Sequence, residues 1–269
     1  MTTSRSDISA PMATPQGELL RLDGVTLRFG GVVALSEASF AVREREICGL
    51  IGPNGAGKTT VFNVVSRIYE PAAGNVTFHG RSLMKYPAHR MAKLGIGRTF
   101  QNLALFPSMT LTENVMVGAH VHGKVGFGRA VARFGASAEN KRVRARAEEL
   151  LDRVGLGPWR DHLADGLPFG TLKKLEIARA LACEPSLLLL DEPAAGLTHG
   201  EVDELGAGIR AIRDDFGLSI LLVEHHMAMV MSISDRVVAM EFGKVIGDGT
   251  PEEIRNNPAV VEAYLGVEP

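Results

Sequence analysis

The chain has 269 residues, of which 45% are hydrophobic and 22% charged, with a formal net charge of −2 at pH 7. That balance describes an ordinary globular protein and supplies no basic surface for a nucleic-acid partner. The only two cysteines, Cys48 and Cys183, each sit inside an apolar segment, which argues against a disulfide framework or a zinc-ligand set and points to a reducing compartment. No apolar run approaches the ~18–20 residues that span a bilayer, so any membrane role is expected to run through a partner.

Residues 1–17, rich in Ser, Thr, Ala and Pro and without an apolar stretch, read as a disordered tail rather than a signal peptide. From Glu18 to Phe40, Leu20, Leu22, Val25, Leu27 and Phe29, then Val32 to Leu35, predict short strands about the turn Gly30-Gly31. Ala41 to Ile51 reads as the strand entering a Gly-rich segment, and Lys58 to Ile68 as the helix leaving it. Asn75 to His79 reads as a short strand, Pro87 to Leu94 as helix and Gly95 to Phe100 as a return to the sheet. Helical periodicity dominates between Gln101 and Asp165. Within it, Lys141-Arg142-Val143-Arg144-Ala145-Arg146 followed by Glu148-Glu149 reads as a solvated face with intrahelical ion pairs. Helix and strand then alternate from Leu167 to Glu241, as a mostly parallel sheet with right-handed crossovers requires.

The segment between the predicted strand and helix is Gly52-Pro53-Asn54-Gly55-Ala56-Gly57-Lys58-Thr59-Thr60. It fills the phosphate-loop template in the strand–loop–helix setting that template needs. Glycines let successive backbone N–H groups turn toward a polyphosphate, because no Cβ blocks the approach. The helix N-terminus adds positive potential, Lys58 can reach the β/γ-phosphates, and the Thr59 hydroxyl is suited to Mg²⁺. The chain is therefore expected to bind a nucleoside triphosphate.

Leu187 to Leu190 is an apolar strand ending in Asp191-Glu192-Pro193. An acid at such a strand end can join the Mg²⁺ shell, which assigns Asp191, and the next acid, Glu192, can orient or deprotonate water. The competing reading is a plain surface turn, since Asp-Glu-Pro is good turn chemistry. Ile220 to Val223 repeats the design before Glu224-His225-His226. His225 can donate to a γ-phosphate, whereas a His225–His226 metal pair is disfavoured because neighbouring strand positions face opposite ways. Met227, Met229 and Met231 read as core packing.

These segments, in this order, resemble the ATP-binding subunit of ABC transporters. Gln101, after Gly95 to Phe100, falls where that family has its Q-loop glutamine, and Leu167-Pro168-Phe169-Gly170-Thr171 falls where it has its signature. Arg98-Thr99-Phe100-Gln101-Asn102, Leu105-Phe106-Pro107, Thr112 to Val115, Asp191 to Leu197 and Gly249 to Ile254 are similar to the branched-chain amino-acid importer group.

The resemblance implies an α/β phosphate-loop NTPase core with a mostly parallel sheet, an antiparallel β subdomain and a helical insertion. It implies a core over 18–100 and 166–250, a helical subdomain over 101–165 and a C-terminal helix over 251–269. It further implies an ATPase using ATP and Mg²⁺, peripheral on the cytoplasmic face of the membrane. Its partners would be integral-membrane permease subunits and a second ATP-binding subunit, identical or paralogous, with an extracytoplasmic solute-binding protein acting indirectly. By the same resemblance Phe29 would stack on adenine, Gln101 would sense metal and link to the permease, and Gly170 would contact ATP held by the other subunit. Two rival readings are a non-transport single-cassette ABC ATPase acting in assembly and a phosphate-loop kinase or GTPase. The latter lacks the guanine-reading Asn-Lys-x-Asp.

The chain departs from the family pattern at the signature, where Pro168 replaces serine, Phe169 the first glycine and Thr171 glutamine, and at Thr198, where the D-loop aspartate is missing. Proline removes a hydroxyl and an N–H while suiting a helix start. The anion contact is then expected to fall to the Gly170 N–H and the helix N-terminus.

Overall fold

A computed structural model describes residues 17–99, 103–119 and 136–265. Two sheets organise it. The first is four-stranded and antiparallel, in the order β2-β1-β4-β5, from β1 (Glu18–Phe29), β2 (Val32–Arg43), β4 (Ala73–Phe78) and β5 (Arg81–Ser82). The second has six strands in the order β10-β9-β3-β8-β7-β6: β3 (Ile47–Ile51), β6 (Ile96–Arg98), β7 (Leu187–Asp191), β8 (Ser219–Val223), β9 (Arg236–Glu241) and β10 (Lys244–Gly249). Its pairings are parallel except at the β9–β10 hairpin.

The apolar runs that form β7 and β8 alternate between two cores. Leu187, Leu189, Leu221 and Val223 pack with the antiparallel sheet and helix α1 (Lys58–Val65). Leu188, Leu190, Ile220 and Leu222 pack beneath α5 (Phe169–Leu181) and α6 (His199–Phe216). Burial on both faces is why these strands are continuously apolar rather than alternating. Two short helical turns lead through α2 (Met91–Leu94) to β6, and α3 (Leu111–Ala119) and α4 (Ala136–Arg153) make the helical subdomain against α5. On α4, Arg144 pairs with Glu148 at 2.9 Å and Arg146 with Glu149 at 2.7 Å.

Three local expectations need correction. Ala41 to Ile51 is not one strand: β2 ends at Arg43, Arg45 has a φ of 59°, and β3 begins in the other sheet at Ile47. The Pro87–Leu94 helix is a 3₁₀ turn followed by one α turn. The 251–269 helix is two helices, α8 (Pro251–Arg255) and α9 (Pro258–Leu265). Pro258 forces that break, because it cannot donate the N–H that a continuing helix needs. Helix α7 (Met227–Ile233) buries Met229 in the core and leaves Met227 and Met231 packed beside α8 and α9. Cys48 and Cys183 are both buried and neither is in a disulfide, and burial pushes the Cys183 thiol up to about 11.

Candidate nucleotide-hydrolysis site

The parallel order brings three strand ends side by side: β3, which runs into the phosphate loop, then β8 and β7. This is where open α/β sheets bind ligands, outside the carboxyl ends of their strands. The loop's glycines are demanded by geometry. Gly52 has φ 152°, and a Cβ there would lie 2.2 Å from the Met240 carbonyl oxygen. Gly57 has φ 102°, and a Cβ would lie 2.8 Å from the Ala34 carbonyl oxygen. Pro53, Asn54, Gly55 and Ala56 complete the turn, closed by the Ala56 N–H donating to the Pro53 carbonyl at 3.1 Å.

Lys58 is buried at the mouth of this loop, and its Nζ donates to the carbonyls of Gly52 (2.6 Å) and Pro53 (3.0 Å). Burial lowers its pKa below the ordinary lysine value, and the Glu192 carboxylate opposes that shift. Thr59 is exposed and Thr60 half-buried in the first turn of α1, where main-chain N–H groups have no intrahelical acceptor. An anion in the loop would satisfy those donors and the lysine together.

Asp191 closes β7 and is almost fully buried. Its Oδ2 accepts from Arg98 at 3.0 Å, whereas Oδ1 is buried with no hydrogen-bond partner. Burial raises its pKa above the usual carboxylate range, and Arg98 pulls it back. An unsatisfied buried carboxylate oxygen is costly unless a ligand completes it. A hard cation held by one carboxylate, a threonine hydroxyl and phosphate oxygens fits this donor set. Among the described residues, no group of three or more His, Cys, Asp or Glu could form an all-protein metal cage.

Glu192 follows with φ 48°, a left-handed conformation that a non-glycine residue adopts at a cost of about 1–3 kcal/mol. The surroundings over-determine it. Its N–H donates to the Val223 carbonyl at 2.9 Å, Lys173 Nζ donates to its carbonyl at 3.4 Å, and its Oε1 lies 2.9 Å from His225 Nε2. Thus Lys58, Asp191, Glu192 and His225 are gathered at adjoining strand ends.

Two predicted residues stand apart from that cluster. Phe29 lies at the end of β1, 45% exposed, its ring meeting Tyr69 edge-on at 5.0 Å. It is therefore not a buried sheet-packing residue. Gly170 lies in the first turn of α5, where a Cβ would meet Glu201 Oε1 at 3.0 Å and Leu197 at 3.6 Å, rather than the phosphate loop. Gln101 lies outside the described residues. Thr198, standing where an aspartate was expected, is the N-cap of α6, and Glu201 accepts from its N–H at 2.8 Å and its hydroxyl at 2.7 Å.

Three contacts of the site escaped the sequence. Glu224 is a buried clip: Oε1 accepts from the Ala194 N–H (2.6 Å), Oε2 from the N–H groups of His225 (2.9 Å) and His226 (3.2 Å). Its signal was available, an acid ending an apolar strand just as Asp191 does. Arg98 and its pairing with Asp191 had only a generic signal, a cation in a short strand. Tyr264 of α9 had none: burial raises its hydroxyl pKa, and the backbone of Gly52 pulls it back.

With this geometry in hand, the likeness to known proteins is decisive. A family model described as ABC transporter matches residues 35–195. The chain is 44% identical to the high-affinity branched-chain amino acid transport ATP-binding protein LivG of Salmonella typhimurium, covering 92% of this chain and 98% of that one. The chain belongs to the ABC transporter ATP-binding family. It is also 41% identical to the corresponding protein BraF of Pseudomonas aeruginosa, over 92% of this chain and 98% of the relative. Residues 244–269 of the cassette match a second family model, described as branched-chain amino acid ATP-binding cassette transporter. A crystal structure of a nucleotide-free ATP-binding cassette from an ABC transporter superposes with a TM-score of 0.80 at 29% identity, over 92% of this chain and 98% of that one. The cassette is thus an ATPase subunit of a transporter, and these relatives give no support to the assembly-factor reading.

Proposed function

We propose that the cassette hydrolyses ATP with Mg²⁺ to power uptake of branched-chain or related amino acids through a membrane permease. The observation that carries the catalytic part is the Glu192–His225 pair at 2.9 Å beside the phosphate loop that holds Lys58. Lys58 and the loop N–H groups bind the phosphates. Glu192 takes a proton from the attacking water, and His225 orients that carboxylate and donates to the γ-phosphate. Thr59 and Asp191 Oδ1 would hold Mg²⁺, which neutralises charge on the phosphate oxygens when bound. Phe29 stacks on the adenine.

The separation of Gly170 from the phosphate loop supports a site completed by a second subunit, whose α5 N-terminus would cap the γ-phosphate. Contacts to the γ-phosphate exist only with ATP bound, so hydrolysis would release the pair. An apolar groove of about 600 Å³ between core and helical subdomain, lined in part by Ile68, Met91, Ile96, Phe106 and Val117, is the surface we assign to the permease. Gln101 is assigned the link between that groove and the metal. Among the described residues no helix is long and apolar enough to cross a membrane; the peripheral position on the cytoplasmic face rests on the likeness to transport ATP-binding proteins. The identity of the solute rests on the named relatives alone, because nothing in these side chains meets it.

The test of the catalytic reading is Glu192→Gln. With ATP it is expected to sediment as a dimer, alone or with its paralogous subunit, and to turn over about 10²–10⁴-fold more slowly, the usual contribution of a general base. Normal turnover would remove Glu192 as the base. For the solute, loss of leucine, isoleucine and valine uptake on deleting the gene is expected. Unchanged uptake of all three would refute the assignment.

A further inference from the structure

Arg98 does more than neutralise a buried acid. It projects from β6, and its guanidinium is divided among three acceptors on two other elements. Nη1 donates to Asn63 Oδ1 at 2.9 Å and to Ser66 Oγ at 3.1 Å, both at the C-terminal end of α1, while Nη2 donates to Asp191 Oδ2 at 3.0 Å on β7. The guanidinium carbon lies 5.6 Å from the centre of the buried Phe62 ring, which fixes the plane of the fork. Its side chain is only 11% exposed, and Asp191 only 2%.

The consequence is geometric. A carboxylate on a strand end can rotate, and either oxygen could face the phosphate loop. Here one oxygen is tied to a planar fork that is itself anchored on α1, the helix that carries Lys58 and Thr59 at its other end. The second oxygen, Oδ1, is left buried and unsatisfied. A guanidinium can do this because its donors lie in one rigid plane and serve several acceptors at once; an ammonium is a point charge without that fork.

We propose that Arg98 is a positioning residue for the hydrolysis reaction: it locks Asp191 with Oδ1 presented to the divalent cation and ties that carboxylate to the far end of the phosphate-loop helix. The inference rests on the nucleotide site described above and assigns Arg98 no contact with substrate. Outer-shell partners that orient metal-ligating carboxylates ordinarily set metal affinity, and their loss weakens it by 10–100-fold.

The test uses the full chain with a non-hydrolysable ATP analogue and Mn²⁺ as a spin-visible divalent cation, titrated by electron paramagnetic resonance. Arg98→Lys keeps the charge and removes the fork; Asn63→Ala leaves Arg98 in place and removes one of its anchors. Arg98→Lys is expected to bind Mn²⁺ about tenfold more weakly. Asn63→Ala should shift it in the same direction by less. Cation-free binding of the analogue should be unchanged in both, and each variant should still melt in a single cooperative transition, at a temperature lowered by the loss of buried hydrogen bonds. Parental Mn²⁺ affinity in both variants would overturn the proposal. So would a fall in cation-free nucleotide binding in step with the metal, because that marks general disruption. Failure of the parent to bind the analogue at all would instead undo the reading of the nucleotide site.

Discussion

Glu224→Gln is the substitution for which the structure makes the sharpest demand. The buried carboxylate accepts three backbone N–H groups, from Ala194, His225 and His226, at 2.6, 2.9 and 3.2 Å. Glutamine keeps the volume but replaces one oxygen with an NH₂ group, so at least one N–H faces another donor. A lost bond to a charged acceptor costs about 1.5–3 kcal/mol, and the remaining bonds weaken because their acceptor is now neutral. Together these give about 2–5 kcal/mol, a melting-temperature drop of roughly 5–15 °C for a domain of this size.

The same three groups hold the segments that carry Glu192 and His225, so the 2.9 Å contact between those side chains should slacken. Nucleotide binding is built on β3 and α1 instead. The expected signature is therefore a kcat reduced about tenfold or more, because small displacements of catalytic groups are costly, with ATP affinity nearly intact. Calorimetry, steady-state ATPase and equilibrium nucleotide binding measure the three quantities. A variant that melts within a degree of the parent and keeps its kcat would show that the carboxylate does not hold the strand-end loops, and the argument would fail.

Other substitutions probe separate parts of the fold. Phe29→Ala should weaken ATP binding about 3–10-fold, the equivalent of one aromatic stack, and barely move the melting temperature without nucleotide, since the ring is half exposed. A melting loss exceeding the binding loss would make Phe29 a structural residue. Pro168→Ser supplies a side-chain cap that α5 lacks, so the melting temperature should rise by the equivalent of about 1 kcal/mol. ATPase of the assembled transporter should stay unchanged, and a marked gain in rate would show that the altered signature is a weakened half-site. The bonds from Thr198 hold Glu201 below the ordinary glutamate range. A depressed folded pKa stabilises above the unfolded value of ~4.3 and ceases to do so as pH falls through the folded value. The melting gap between the parent and Glu201→Gln should thus be open at neutral pH and close in strong acid. A gap of constant size down to about pH 3 would refute the linkage.

Local chemistry made much of this protein legible. The phosphate loop could be read because Gly52 and Gly57 occupy conformations and spaces closed to other side chains. The position of Asp191 and Glu192 at a strand end could be read because an apolar run that meets two acids and a proline marks where a buried strand stops. The charged face of α4 followed from its spacing alone. The alternation of helix and strand along the chain from Leu167 to Glu241 followed from its periodicities.

Other features depend on residues distant in sequence. Arg98 meets Asp191 across 93 positions, and Ala194 meets Glu224 across 30. A lone arginine in a short strand, or one more acid before two histidines, says nothing of its partner until the sheet order sets β6, β7 and β8 side by side. Strand β10 has no local signature, because Lys244-Val245-Ile246-Gly247-Asp248-Gly249 mimics a loop, and only pairing with β9 makes it a strand. The amino-acid order thus determined the glycine-rich loop and the acids at the strand ends, since loop geometry and strand termination are short-range properties. Which oxygen of Asp191 remains open, and what holds Glu192 against His225, only the folded sheet decided. Those contacts arise from parallel register, which brings distant strand ends to one edge and leaves no trace in local spacing.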